Sequence, residues 1–225
     1  MIRPTLTLLT SIFLFACGGG SSSNTDPVIN SMDDISVRKV GIDLVNISTQ
    51  SVDYYIRENG DKNALFDEGN KVATNLSLEK KYHSIQWTSN SPMTIDIGIQ
   101  DTNSQTINNK ATDIILNNKQ KVWAIAWQDE LTMSLSTDIV KPAPLEDKYR
   151  IRVFAVDDVW VQIVSSAVST QEVKKGKFSS HMTVENCSGE LFLGANQTNI
   201  CDLDIGKSYL LIVDGENLLL AAEEK

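Results

Sequence analysis

The side chains in this sequence whose types and spacing could do chemistry are its tryptophans, its two histidines and a few paired aspartates. Trp123 and Trp127 stand four residues apart with Ile125 between them, so on an extended strand all three share one face. Exposed, the two indoles would form a platform for a sugar ring or a partner protein, where aromatic anchors dominate binding, and they are the candidate binding residues. Buried, they would be sandwich core, a reading favoured by Ile125 on the same face. Trp87 and Trp160 complete the set. The histidines offer less. His83 sits in Lys80-Lys81-Tyr82-His83-Ser84 without HExxH-type spacing, and no G-x-S-x-G elbow marks a nucleophile for it or for His181. Asp157-Asp158 and Asp202-Leu203-Asp204 put carboxylates near turns, where calcium would need them, but match neither an EF-hand loop nor a nonapeptide repeat. Turn formation accounts for them. The sequence holds no phosphate loop, dinucleotide-binding glycines or zinc ligand cluster. It therefore assigns no catalytic and no metal-binding residue.

Cys17 carries a different kind of chemistry. Leu6 to Ala16 is a short apolar run behind Met1-Ile2-Arg3, and Leu14-Phe15-Ala16-Cys17 leads into Gly18-Gly19-Gly20-Ser21-Ser22-Ser23. The run has the length of a signal h-region and falls short of the about 20 residues that span a bilayer as a helix. The segment resembles the signal peptide and lipobox of a bacterial lipoprotein. That resemblance implies cleavage before Cys17, acyl chains (palmitate among them) on Cys17 and no other cofactor. It also implies a lipid-anchored place in the bacterial cell envelope. Gly18 after the cysteine, where Asp would hold the protein back, points to the outer membrane over the inner.

Export has two consequences. Cys187 and Cys201 are an even pair in an oxidising compartment, with no histidine or further cysteine at ligand spacing, so a disulfide is expected. It would close a loop of about 15 residues, worth ~3 kcal/mol in the chain-entropy model. The second consequence concerns charge. The chain of 225 residues carries 20 basic and 29 acidic residues, a net −9, and loses Arg3 with the leader. Without a basic cluster it is no partner for nucleic acid, and an anionic lipid surface would repel it. The lipid has to do the anchoring.

The elements that must position these residues are strands. Residues 1–16 read as the signal peptide and 17–35 as the lipidated cysteine with a Gly/Ser/Asn tether too polar to offset its ordering entropy. From Val40 the pattern turns period two. Ile42 to Ile47 is apolar on both sides. Val52, Tyr54 and Ile56 alternate with polar or exposed types, and Met93, Ile95, Ile97 and Ile99 form a clean half-buried strand. Glu58-Asn59-Gly60-Asp61 reads as a turn. Val72 to Lys81 leaves a helical alternative open. Lys141-Pro142-Ala143-Pro144 makes a stiff connector within 141–148, since each proline fixes φ and lacks a donor. Strands resume with Ile151, Val153 and Ala155, then Val159, Val161 and Ile163. The expected architecture is all-β, two immunoglobulin-like antiparallel sandwiches over 36–140 and 149–225. The halves also align without gaps, Leu116 to Ala126 on Leu203 to Val213, which suggests two related modules.

Val45-Asn46-Ile47-Ser48-Thr49-Gln50-Ser51-Val52-Asp53-Tyr54-Tyr55-Ile56 and Ile205-Gly206-Lys207-Ser208-Tyr209-Leu210-Leu211-Ile212-Val213-Asp214-Gly215 resemble the opening strand and later hairpin of domain-of-unknown-function family 4397, envelope domains found as tandem copies in lipoproteins. Asn118-Lys119 stands where the first copy would carry its glycine turn, and the second copy is short. The resemblance implies an immunoglobulin-like sandwich and no known reaction. The expectation is a non-enzymatic envelope lipoprotein, a binding or structural module with an envelope protein or glycan as partner. The alternatives are an envelope hydrolase or a carbohydrate-binding module using surface tryptophans.

Overall fold

The computed structural model describes residues 37–104, 107–130 and 132–225, the side chains of 107 and 108 excepted. The expected signal peptide, Cys17 and the expected tether lie outside the described residues. Sixteen strands follow one another with a single turn of 3-10 helix at Glu68–Asn70. The first eight are β1 (Arg38–Asn46), β2 (Val52–Glu58), β3 (Lys71–Leu76), β4 (Glu79–Trp87), β5 (Met93–Asp101), β6 (Ile107–Leu116), β7 (Lys121–Asp129) and β8 (Thr132–Ile139). The second eight are β9 (Tyr149–Ala155), β10 (Val159–Val164), β11 (Val168–Val173), β12 (Met182–Val184), β13 (Leu191–Leu193), β14 (Asn196–Thr198), β15 (Ser208–Asp214) and β16 (Asn217–Glu223).

Each set of eight folds into a two-sheet sandwich. The first has sheets β4-β1-β7-β8 and β3-β2-β5-β6, and the second β12-β9-β15-β16 and β11-β10-β13-β14. Adding eight to each strand number of the first sandwich reproduces the second, so the two share one topology. The pairing is antiparallel except where β1 lies parallel to β7 and β9 to β15. The gapless alignment of the halves falls on this match: β7 and β15 begin at Lys121 and Ser208, which pair with Gly41 and Arg150. The second module is short because its strands and connections are short; it keeps all eight strands. Val72 to Lys81, for which a helix was open, falls on β3, the turn after it and the start of β4. An edge strand such as β4, exposed along most of its length, has no apolar alternation to announce it.

Alternation explains the two inner cores. Ile42 and Leu44 from β1, Ile95, Ile97 and Ile99 from β5, and Ala124 and Ala126 from β7 fill the first. Ile151 and Val153, Val161 and Ile163, and Leu211 and Val213 fill the second. A third core joins the modules. Val45, Trp123, Ile125 and Trp127, on the other faces of β1 and β7, pack with Phe154, Leu210, Ile212 and Ala222 from β9, β15 and β16. The sandwiches therefore meet through equivalent sheets, and they form one compact unit.

Candidate functional site

Of the two readings of the tryptophan pair, the buried one holds. Trp123 is 0% and Trp127 6% exposed. They share a face with Ile125 as the spacing requires, but that face is covered by the second sandwich. Trp127 meets Phe154 edge-on, with ring centroids 6.2 Å apart, and its Nε1 donates to Ser136 Oγ at 3.0 Å. Gly176, at φ 69°, lies beneath the Trp127 ring, where a Cβ would come within 2.5 Å of Cζ2. The binding assignment of Trp123 and Trp127 is thereby corrected: they hold the two modules together.

A buried polar cluster borders them. Trp123 Nε1 donates to Glu224 Oε1 at 3.1 Å, and Arg152 Nη1 reaches the same oxygen at 2.9 Å. Arg152 also pairs with Asp138 from β8. His181 lies at the margin, its Nε2 donating to Lys141 O at 2.8 Å and standing 3.6 Å from Glu224 Oε2. Burial lowers the His181 pKa, an effect opposed by the Lys141 carbonyl and Glu224. His83 is half-buried on β4 and its pKa is lowered by burial, with Lys81 adding to the shift. No hydroxyl among the described residues hydrogen-bonds either histidine, so no nucleophile and base are brought together. Asp157 and Asp158 pair with Lys175 and Lys174, and Asp204 pairs with Lys207. No group of three or more His, Cys, Asp or Glu side chains that could hold a metal occurs among the described residues.

The two outer sheets, turned away from the module interface, differ in kind. On the first, several polar side chains are paired with one another: Arg57 with Asp96, Lys71 with Asp53, and Tyr55 Oη with Gln100 Oε1 at 3.0 Å. Burial would raise the pKa of Asp53 and Asp96, yet backbone and side-chain hydrogen bonds bring both below the usual carboxylate range. The connection from β2 to β3 folds back over this sheet. Phe66 meets Tyr55 at 5.4 Å and fills the space over Gly98, where a Cβ would lie 2.7 Å from its ring. A cleft of about 580 Å³ remains between Phe66 and the Lys110–Thr112 part of β6.

On the second outer sheet the corresponding connection, β10 to β11, is only Ser165 to Ala167, too short to fold back over the strands. Trp160 is 55% exposed, and Val164 and Val168 are exposed at the hairpin end of the same strands. The inward positions of β10 are Val159, Val161 and Ile163, so Trp160, Gln162 and Val164 point out. The register then builds a row across four strands. Gln162 stands opposite Thr170 of β11 and Phe192 of β13, and Phe192 opposite Gln197 of β14. One rung over, Trp160 faces Glu172, whose carboxylate is taken by Lys174 Nζ at 2.6 Å. Gln162, Thr170 and Gln197 have side chains that make no hydrogen bond among the described residues. An exposed indole, a half-exposed phenyl ring, two amides and a hydroxyl thus share one open face.

The disulfide supports that face. Cys187 is bonded to Cys201, as the pair of cysteines leads one to expect. Both β13 and β14, three residues each, lie inside the loop it closes, and Ile200 N donates to Cys187 O at 2.9 Å. Strands this short have little independent stability. The covalent link holds Phe192 and Gln197 in register with β10. Period-two alternation already set Trp160 off the core face of β10, which is the signal that could have singled it out.

No protein-family model matches the chain, and no curated protein sequence matches it. Among solved structures it is similar to a family 26 carbohydrate-binding module from Eubacterium rectale Amy13K, in complex with maltoheptaose. The identity is 15%, covering 83% of this chain and 97% of that one, with a TM-score of 0.23, below that of proteins sharing a fold.

Proposed function

We propose that this chain is a non-catalytic recognition module of the bacterial cell envelope, anchored through a lipid on Cys17 and presenting the outer face of its second sandwich to a partner. The observation that carries the recognition reading is the row of unbonded Gln162, Thr170 and Gln197 around Phe192, next to exposed Trp160. Polar groups on a structural surface are free to bond water, but a cluster of them flanking a large exposed ring is the makeup of a binding hot spot. Trp123 and Trp127, by contrast, lie in the module interface, and Arg57 and Asp96 are paired with one another. The anchor is supported by the Leu14–Cys17 sequence and its Gly/Ser tail. The acidic composition agrees with it, since such a chain needs a lipid to stay at an anionic membrane.

Two measurements test this. Metabolic labelling with palmitate should mark the chain, and Cys17→Ser should abolish the label; a label that persists in the variant removes the anchor. A photo-crosslinking amino acid at Thr170 should capture envelope material in whole cells, and Trp160→Ala should abolish the adduct. Adducts of equal yield from exposed Leu78 on the first module would sink the recognition face.

A further inference from the structure

We infer that the occupant of the Trp160 face is a neutral glycan strand. The inference rests on the recognition reading above and names its ligand class. Three features of the face select this chemistry. The first is its charge. The chain is strongly acidic, yet the outward row of Thr170, Gln162, Phe192 and Gln197 carries no charged side chain, and Glu172, opposite Trp160, shares Lys174 with Asp158. No cation on the row is free to meet a phosphate, sulfate or uronate, and an anionic polymer would meet an acidic chain without compensation.

The second is the kind of polar group. Each glutamine offers both a carbonyl acceptor and two N–H donors, and a threonine hydroxyl both donates and accepts. A ligand whose every hydroxyl also does both can bond such groups in either sense. The third is the pairing of these groups with rings. The C–H face of a pyranose is the apolar surface a saccharide can lay on an indole, leaving its equatorial hydroxyls pointing sideways. On this sheet Phe192 has amides on both sides along its own row, Gln162 and Gln197, and Trp160 lies on the adjoining outward row. Neighbouring strands are spaced ~4.8 Å apart, so rings and amides recur at sugar-sized intervals across the sheet.

The first sandwich shows what closes such a face. There Phe66, delivered by the long β2–β3 connection, lies on Tyr55 and over Gly98. In the second sandwich the connection at the same place in the topology stops after Ser165 to Ala167, and the face stays open.

The test is affinity gel electrophoresis of the full chain in mild detergent, with a soluble α-glucan, β-glucan, mannan or an anionic polysaccharide cast in the gel. At least one neutral polymer should retard the protein, and raised salt should leave the retardation intact. Trp160→Ala, and separately the Gln162→Ala, Gln197→Ala pair, should raise the apparent Kd at least tenfold. Tyr82→Ala, which removes an exposed ring on the first module, should not change it. Retardation only by the anionic polymer, reversed by salt, overturns the inference. No retardation in any gel, with Thr170 still crosslinking to a protein in cells, overturns the glycan and leaves the recognition reading standing. No retardation and no Trp160-dependent adduct overturns both.

Discussion

Trp123 and Glu224 stand 101 residues apart in sequence, yet the indole Nε1 of one donates to the carboxylate of the other at 3.1 Å in the seam between the two sandwiches. The same oxygen accepts from Arg152, so one buried carboxylate joins the last residues of the chain to β7 and β9. Removing one partner of a buried charge pair costs about 3–5 kcal/mol, because the other charge is left without compensation. Glu224→Ala should therefore lower the unfolding free energy by about that much in urea titrations. Trp123→Phe, which removes the donor and leaves space where the larger ring was buried, should cost at least about 1–3 kcal/mol. Neither should weaken retention by a glycan gel. A Trp123→Phe protein that is fully stable but no longer binds would return that residue to the ligand site.

Trp160→Ala should behave in the opposite way. The side chain is more than half exposed and makes no hydrogen bond or ring contact among the described residues, so its loss should change stability by no more than about 0.5 kcal/mol. Binding should fall at least tenfold. A large drop in the denaturation midpoint would mean that the ring is a structural support.

Reduction should act on the recognition face before it acts on the fold. The Cys187–Cys201 link closes the loop that holds β13 and β14, and a loop of that size contributes about 3 kcal/mol. The Cys187→Ser, Cys201→Ser double variant should remain folded, by circular dichroism, while losing retention by the gel. Hydrogen exchange should rise first at Leu191–Leu193 and Asn196–Thr198. Unchanged exchange there would show that the hairpin holds without its bond.

Gly176→Ala should damage the module seam. Its φ of 69° disfavours any side chain, and the new methyl would meet the Trp127 ring at 2.5 Å. A cost of about 2 kcal/mol is expected, combining strain with displaced packing. Differential scanning calorimetry would read it, and a neutral result would mean that the Lys174–Lys177 turn shifts freely.

Acid should destabilise the protein in two stages. Burial lowers the pKa of His83 and of His181 from the ordinary 6.5, so the folded state disfavours their protonation. The unfolded chain then binds more protons, and stability falls as pH drops below about 6.5 through the lower folded values. Asp53, Asp96 and Glu190 are also shifted down, so their contribution is present above the usual carboxylate range and is lost at more acidic pH. Chemical denaturation from pH 7.5 downward should show the first stage, and a His83→Gln, His181→Gln variant should lack it. If the variant shows the same loss, other groups cause it.

The inner cores were legible because alternation in Met93–Ile99, Ile151–Ala155 and Val159–Ile163 states directly which side chains are inside. The seam was less so. Period two places Trp123, Ile125 and Trp127 on one face, but whether that face meets water or a second sheet depends on where residues 87 positions later fold. A hint was present: Val122 to Trp127 is apolar on both faces, as a strand with cover on each side must be. The recognition row was out of reach. Thr170, Gln162, Phe192 and Gln197 come from four strands and become neighbours only through long-range register. The helix left open at Val72–Lys81 shows the converse limit, for edge strands have no buried stripe to report.

The seam between equivalent sheets has one more implication. An interface in which like meets like satisfies itself and leaves no complementary patch behind, so it closes an assembly at two members. Here both members are written into one polypeptide, and their association no longer depends on concentration. Further copies of the fold cannot stack onto the pair by the same contact. The pair is closed by its own covalent chain, and any partner must be met through its outward faces.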